Sequence, residues 1–391
     1  MVDKQFPEIN FRREVHSSLD AFDPVEWDQL AGNDNPFCLY AFFKALEQSQ
    51  AITSHTGWSP QYVSVYQNDK LIAVAPCFIK SHPMGEYVFD WSWADAYEAH
   101  GLDYYPKLVC AIPFTPVTGP RYFIHPSADY HIVSALLLEQ VEALARQYES
   151  SGFHILFPEK SEIQLPCHAE LAVRQSVQFH WYNRGYSHFD DFLASLTSRK
   201  RKSIRKERKS ALENDVTICV KEGENISEDD WRQFYCFYRN TYLKRSGHEG
   251  YLNETFFMHL GVTMPNNLVL ICGMRNEKIV AASLFLRSSS TLFGRYWGCS
   301  EEHNHLHFEL CYYQGIEYCI ENQLTVFEAG AQGEHKLIRG FEPIWTYSLH
   351  KLFHPQFHSA IEDFVDREKQ HLDLYKKDAE KCLPYKHTAE S

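Results

Sequence analysis

The 391-residue sequence has no apolar run long enough to cross a bilayer. Its purest stretch, Leu71–Ile79, is short and contains Pro76, whereas a spanning helix needs ~20 apolar residues. The opening MVDKQFPEINFRREV has no apolar segment of the secretory-leader kind. There is no C-x-x-C pair, and the 11 cysteines are scattered and odd in number. That argues against a disulfide framework and for reduced thiols, so a cytoplasmic location is expected. The net charge of −13 argues against a protein that coats nucleic acid over its whole surface. A glycine-rich phosphate loop, a dinucleotide fingerprint and a nucleophile elbow are all missing. So is a zinc signature, despite 21 histidines. The spacing of His303, His305 and His307 spreads them around a helix, and Pro355 interrupts His350, His354 and His358. No metal is expected. What is abundant is apolar residue, 44% in all with 15% aromatic, enough for a folded chain of two or three domains.

An internal repeat organises the chain. Tyr62-VSVYQ-Asn68-Asp69-Lys70-LIAVAPCFIK and Leu268-VLICGMR-Asn276-Glu277-Lys278-IVAASLFLR both read as strand, tight polar turn, strand. A third aromatic strand is expected after each hairpin, at Glu86-YVFDWSW and at Thr291-LFGRYWG. A helix and a closing strand then follow: Ala135-LLLEQVEALARQYESSG with Phe153-HILF, and His307-FELCYYQGIEYCIENQ with Leu324-TVFE. Upstream of the second hairpin the set is fuller. Val216-TICVKEG is a strand, Ser227 caps the helix EDDWRQFYCFYRNTYLKR through an acidic first turn, and Glu254-TFFMHLGVTM is a shorter helix. Trp345-TYSLHKLF is a last strand, and residues 358–383 form an amphipathic tail helix. The expected organisation is a duplicated α/β (α+β) protein. Its domains are 1–180, with an insertion near 92–130, and 181–391, which opens on a basic helix within 189–214 and ends in the tail helix.

These residues carry a family resemblance. The order β-α-α-β-β-β-α-β plus a further strand resembles a GNAT (acyl-coenzyme A-dependent N-acetyltransferase) domain. Two such domains in one chain resemble the FemAB architecture of peptidoglycan-interpeptide aminoacyltransferases. Asn35-PFCLYAFFKALE, Thr56-GW, Gly85-EYVFDWSWADAY, Tyr104-YPKL, Pro113-FTPVTGPR, Leu306-HFELCYY and Gly330-AQGEHKLIRGFEP are similar to the bacterial FemAB-like "peptidogalycan biosynthesis/recognition" proteins. The resemblance implies two tandem GNAT-like domains. It also implies acyl or aminoacyl transfer from acyl-CoA, an acyl carrier or aminoacyl-tRNA to an amine such as a cell-wall precursor. The alternative is a GNAT-fold binding protein that recognises a peptidoglycan precursor or tRNA without chemistry. One departure bears on the donor. Where GNAT domains hold pyrophosphate with a glycine-rich loop, Gly298-CSEEHNHLH has one glycine and two glutamates. No tightly bound cofactor is expected.

Three constellations stand out in the sequence. Helical spacing puts His305, Glu309 and Tyr313 on one face, and Glu309 is expected to act as a base, with His307 nearby. The loop after the last strand of the second repeat holds Gln332, Glu334, His335, Lys336 and Arg339. His335 is its candidate acid or base, and Lys336 and Arg339 are candidate holders of an anion. Tyr296 on the third strand, with Lys107 and Arg121 in the first domain, completes the candidate substrate site. The basic run holds Arg199, Lys200, Arg201, Lys202, Arg205 and Lys206, and is expected to meet phosphates of tRNA or of an acyl carrier partner.

Overall fold

The computed structural model describes residues 10–213, 215–331 and 333–386. Its strands are β1 (Phe11–His16), β2 (Trp58–Gln67), β3 (Lys70–Lys80), β4 (Lys107–Cys110), β5 (Phe123–Ile124), β6 (Gly152–Leu156), β7 (Ala172–Tyr182), β8 (Thr217–Glu222), β9 (Leu268–Arg275), β10 (Lys278–Arg287), β11 (Thr291–Cys299), β12 (Val326–Glu328) and β13 (Glu342–Leu352). Both expected hairpins form, β2–β3 and β9–β10. Their tips have positive φ at both turn residues, Asn68 and Asp69 in one and Asn276 and Glu277 in the other. Polar residues at a two-residue tip suit that left-handed geometry, which matches the right-handed twist of the flanking strands. In each half a third antiparallel strand follows, and then a parallel fourth: β4 and β6, β11 and β12.

The halves join in one continuous sheet, in the order β1-β2-β3-β4-β6-β13-β7-β12-β11-β10-β9-β8. The two middle strands are exchanged. β7 ends the first half in sequence but pairs with β12, whereas β13 ends the second half and pairs with β6. β7 and β13 pair with each other from Glu342↔His180 to His350↔Ala172. The expected boundary at 180/181 therefore falls inside β7. Helices on one side close the core across both halves: Phe42 in the helix Tyr40–Gln48 meets Phe256 in Glu254–Thr263 edge to face at 5.8 Å, and Phe37 meets Phe293 at 5.3 Å.

The first half also has the upstream set that the sequence showed only in the second, namely β1 with the helices Pro24–Ala31 and Tyr40–Gln48. Ser227 caps its helix as expected, its hydroxyl accepting from Asp230 N. Two local expectations are corrected. The aromatic stretch 86–93 is not a strand: it bends into the helix Trp91–Ala99, and β4 is the third strand. Glu86 and Asp90 are drawn instead to the buried ammonium of Lys107. The stretch 189–213 is two helices, Phe189–Ser195 and Ser198–Ala211, because Leu196 forms a bridge with Tyr385 between them. Asn214 lies outside the described residues.

Leu349 on β13 is fully buried within the apolar cluster of the first half. Leu349→Ala should therefore cost about 2–5 kcal/mol, read by chemical denaturation. A loss under about 1 kcal/mol would show that β13 does not fill that core.

Candidate active site

The site begins with one extra residue. Along β10–β11 the register runs Leu284↔Tyr296 and then Phe285↔Gly294, so Arg295 is bulged out of the ladder. A bulge bends its strand and increases the local twist. β12 follows β11 only through Thr291–Phe293. Beyond that point one edge of β11 has no strand partner among the described residues. A cavity of about 400 Å³ fills the gap. Its roof is the helix Glu228–Ser246, which comes close because β11 carries Gly298: a Cβ there would lie 2.2 Å from Phe237 O.

The roof contributes Tyr238, Tyr242 and Arg245, and the strand contributes Arg295, Tyr296 and Trp297. His307, Cys311 and Tyr312 form the far wall. They belong to a helix in three segments, Leu306–Phe308, Glu309–Tyr313 and Gln314–Glu321, with the middle one wound as a π-helix. Such a segment re-aims side chains within a helix and is frequent at functional sites. Tyr87 reaches in from the first half.

The electrostatics of this wall are distinctive. Burial, and next the Arg245 guanidinium, hold the His307 imidazole down at about 4. It is therefore neutral at pH 7, with one ring nitrogen bare of a proton. Tyr312 Oη lies 2.9 Å from His335 Nε2. Burial raises the Tyr312 phenol, so it keeps its proton. Arg245 is exposed at the mouth and makes no ion pair among the described residues. The Tyr296 hydroxyl is buried and has no hydrogen-bond partner among the described residues. Beneath the floor Arg295 pairs with Glu328 and donates from Nε to Thr115 of the first half at 2.7 Å. Burial pushes the Cys311 thiol up to about 12, which leaves it protonated and a poor nucleophile.

Several expected residues are occupied elsewhere. Glu309 is fully buried and does not line the cavity. Arg208 donates to it from Nε and Nη2 at 2.9–3.1 Å, and Gln314 Nε2 donates at 2.8 Å. This corrects the expectation of a base there, since the carboxylate is shut away from the cavity and its oxygens are taken by Arg208 and Gln314. Tyr313 turns the same way, to Glu207. Arg339 donates to Glu207 at 2.6 Å and to His335 O at 2.7 Å, with its guanidinium 3.7 Å above Phe308. It is buried, does not line the cavity and shapes the His335 loop. Lys336 is buried with Nζ on Gly330 O at 2.8 Å. Burial, helped by Arg295, brings it to about 7.

His305 stands before the helix in a left-handed conformation, which breaks the expected shared face. Glu334 is exposed and accepts from Tyr375 at 3.0 Å. Gln332 lies outside the described residues. In the first half Lys107 is sealed against Glu86 and Asp90. Arg121 donates to the carbonyls of Val117, Gly119, Pro120 and Leu156. Neither is open to a substrate. On the basic helix Arg199, Lys202, Arg205 and Lys206 are exposed, and Lys200 and Arg201 are half-buried. Sequence reasoning missed Tyr87, Tyr238, Tyr242 and Arg245. The two roof tyrosines and the arginine recur at i, i+4 and i+7 along one capped helix, the signal that would have grouped them.

Comparisons with known proteins can now be set beside this geometry. By sequence, no curated protein matches the chain. By structure, FemX aligns with a TM-score of 0.51 at 12% identity, over 89% of this chain and 100% of its own. A tandem GNAT protein from the clavulanic acid biosynthesis pathway aligns at 0.47 and 9% identity, over 88% and 98%. L-PGS from Bacillus licheniformis aligns at 0.48 and 12%, over 83% and 96%. The duplicated sheet is thus a fold that FemX shares. A family model matches residues 18–387, and the chain belongs to that family, FemAB-like, described as "Peptidogalycan biosysnthesis/recognition". Among the described residues no helix is long and apolar enough to cross a membrane.

His307 should titrate by NMR near 4, and Arg245→Ala should move it up, with burial still holding it below the free value. Its lowered value means that the unfolded chain takes up a proton first. The stability it contributes is therefore present above 6.5 and is lost as pH falls toward 4. A midpoint that ignores Arg245→Ala would show that the guanidinium does not face the ring.

Proposed function

We propose that the cavity of the second half transfers an acyl or aminoacyl group from an activated ester or thioester to an amine, with a peptidoglycan precursor as acceptor. The observation that carries this reading is the pairing, across one cavity, of a neutral imidazole, His307, with a phenol, Tyr312, backed by His335. The amine nitrogen bonds to the donor carbonyl carbon, and His307 accepts the proton that this nitrogen then loses. The bond from carbonyl carbon to the leaving oxygen or sulfur breaks, and Tyr312 gives the leaving atom its proton. With the His335 proton on Nε2 and donated to Tyr312 Oη, the phenolic hydrogen is free to point into the cavity. The unpaired edge of β11 offers backbone N–H groups to the developing oxyanion. Arg245 binds an anionic group at the mouth.

The donor's carrier is read as tRNA. The exposed Arg199, Lys202, Arg205 and Lys206 form a phosphate-binding face on the helix Ser198–Ala211. The inward residues of that helix, Glu207 and Arg208, anchor it to the loop and helix that build the cavity. Glu301 and Glu302, which follow β11, pair with Arg275 and Lys244. They leave no obvious pyrophosphate cradle for coenzyme A. Eleven unpaired cysteines suit the cytoplasm, where such activated donors are made.

Incubation with aminoacyl-tRNA, acyl carrier and acyl-CoA donors, read by mass spectrometry, tests the reading. Transfer should be lost by ~100-fold or more in His307→Ala and in Tyr312→Phe. Glu309→Gln should lower stability more than it lowers chemistry. No product from any donor, or full activity in both cavity variants, would overturn it.

Reversing charge in Lys202→Glu/Lys206→Glu should weaken binding of the carrier and flatten its salt dependence. An unchanged salt slope would rule out the basic helix as the phosphate face.

A further inference from the structure

Away from the cavity, two histidines meet across the seam made by the exchanged strand. His154 on β6 and His350 on β13 are cross-strand partners. Both are 1% exposed, and their Nδ1 atoms lie 2.6 Å apart. One of these nitrogens must carry a proton and the other must be bare. The neighbours decide which. Tyr104 Oη donates to Asp90 at 2.6 Å, so toward His154 Nε2, at 3.4 Å, it acts as the acceptor. His154 therefore carries its proton on Nε2, and its bare Nδ1 accepts from His350 Nδ1. The bare Nε2 of His350 in turn accepts from Ser348 Oγ at 2.8 Å. One chain of hydrogen bonds thus runs in a single direction from Ser348 to the Asp90 carboxylate, which also accepts from Lys107.

The chain has room for one added proton but not for two. A first proton enters at His350 Nε2, with the Ser348 hydroxyl turned to accept. A second has only His154 Nδ1, and there it would set two N–H groups head to head. From this geometry we propose that the His154–His350 pair is an acid-sensitive latch. At neutral pH it closes β13 onto β6 and holds the segment carrying Tyr87 to that seam; it parts when both rings are protonated. Asp90, where the chain ends, lies three residues after Tyr87, whose backbone is held in the left-handed region at φ 61°. Such a conformation persists only where its surroundings impose it, so parting the latch releases the wall that Tyr87 gives to the cavity. The charges around the pair oppose protonation from two sides. Lys107 on β4 lies beside Glu86 and Asp90, and Arg174 on β7 is paired with Glu368 of the helix Pro355–Lys381. Lys80 on β3 interacts with the same two carboxylates, and burial brings it to about 7. Trp93 covers His350 edge-on at 4.8 Å. Burial, and next Lys107, hold His154 well below its ordinary value; burial, then His154 and Arg174, do the same for His350, against Asp90. The sign follows: the parted form takes up protons first, so the latch is firm above 6.5 and weakens as pH falls.

The latch does not rest on the transfer reading, and neither of its tests measures transfer. Long-range proton–nitrogen NMR of the full chain at neutral pH should show His154 with its proton on Nε2 and His350 with its proton on Nδ1. Amide hydrogen exchange, corrected for the intrinsic rate, is then followed as pH falls in residues 86–91, 152–156 and 348–352. Opening there should rise by more than tenfold for each unit below about 6.5, the mark of two protons taken up. Residues 268–287, in β9 and β10, should keep their protection. In His154→Asn the amide oxygen replaces the bare Nδ1 and does not titrate, so the rise should fall to tenfold per unit at most. Where that variant does not fold, the proton positions and the pH slope of the natural chain decide. Three results would overturn the proposal: both rings protonated on Nε2 alone at neutral pH, exchange that follows the intrinsic rate, or a slope that His154→Asn leaves unchanged. Loss of protection in β9 and β10 at the same pH would also do so, by showing unfolding of the whole sheet in place of a latch.

Discussion

The structure depends on one hydrogen-bonded ladder, that between β7 and β13. Each strand is covalently part of one half and paired with the fourth strand of the other. Neither half can complete its sheet alone, because its middle edge would present a row of unpaired N–H and C=O groups. The exchange also explains why the cavity of the second half borrows residues from its neighbour. Tyr87 lines the cavity from the first half, and Thr115 fixes Arg295 beneath the floor. With the two halves locked in one sheet, such contacts keep their geometry.

What was legible in the sequence was local. The hairpins were visible because two polar residues between β-branched runs leave little choice of turn, and the Ser227 helix because its cap and acidic first turn are chemical signals. What was not legible is non-local. Nothing around Ala172–Tyr182 or Glu342–Leu352 says that these strands trade places, since pairing partners lie far apart along the chain. The Arg295 bulge is equally silent, because a register slip depends on the neighbouring strand. The aromatic run 86–93 had strand composition, and a buried ammonium overrode it. Local propensity yields when a buried charge needs partners.

The cations teach the same lesson. Lys107, Arg121 and Arg339 were singled out as ligand-binding because they sit among glycines, prolines and aromatics. All three are consumed internally, by carboxylates or by backbone carbonyls. Arg245 attracted no notice, being one basic residue at the end of a helix, yet it stands at the cavity mouth with no carboxylate partner among the described residues. Glu309 shows the mirror image: a carboxylate in an aromatic helix reads as a base until its guanidinium partner, 101 positions away, is known. Whether a charge serves structure or substrate is decided by its partner, and distant partners are invisible in sequence.

The exchanged strand has an outcome for biosynthesis. The ribosome delivers β6 long before β13, so the amino-terminal sheet waits with an exposed margin while almost two hundred further residues are made. Full closure of that sheet is post-ordered by the chain itself: it follows emergence of the carboxyl-terminal portion rather than proceeding vectorially, domain after domain. A chain stopped anywhere before Glu342 lacks β13 and leaves β6 and β7 without the strand that joins them.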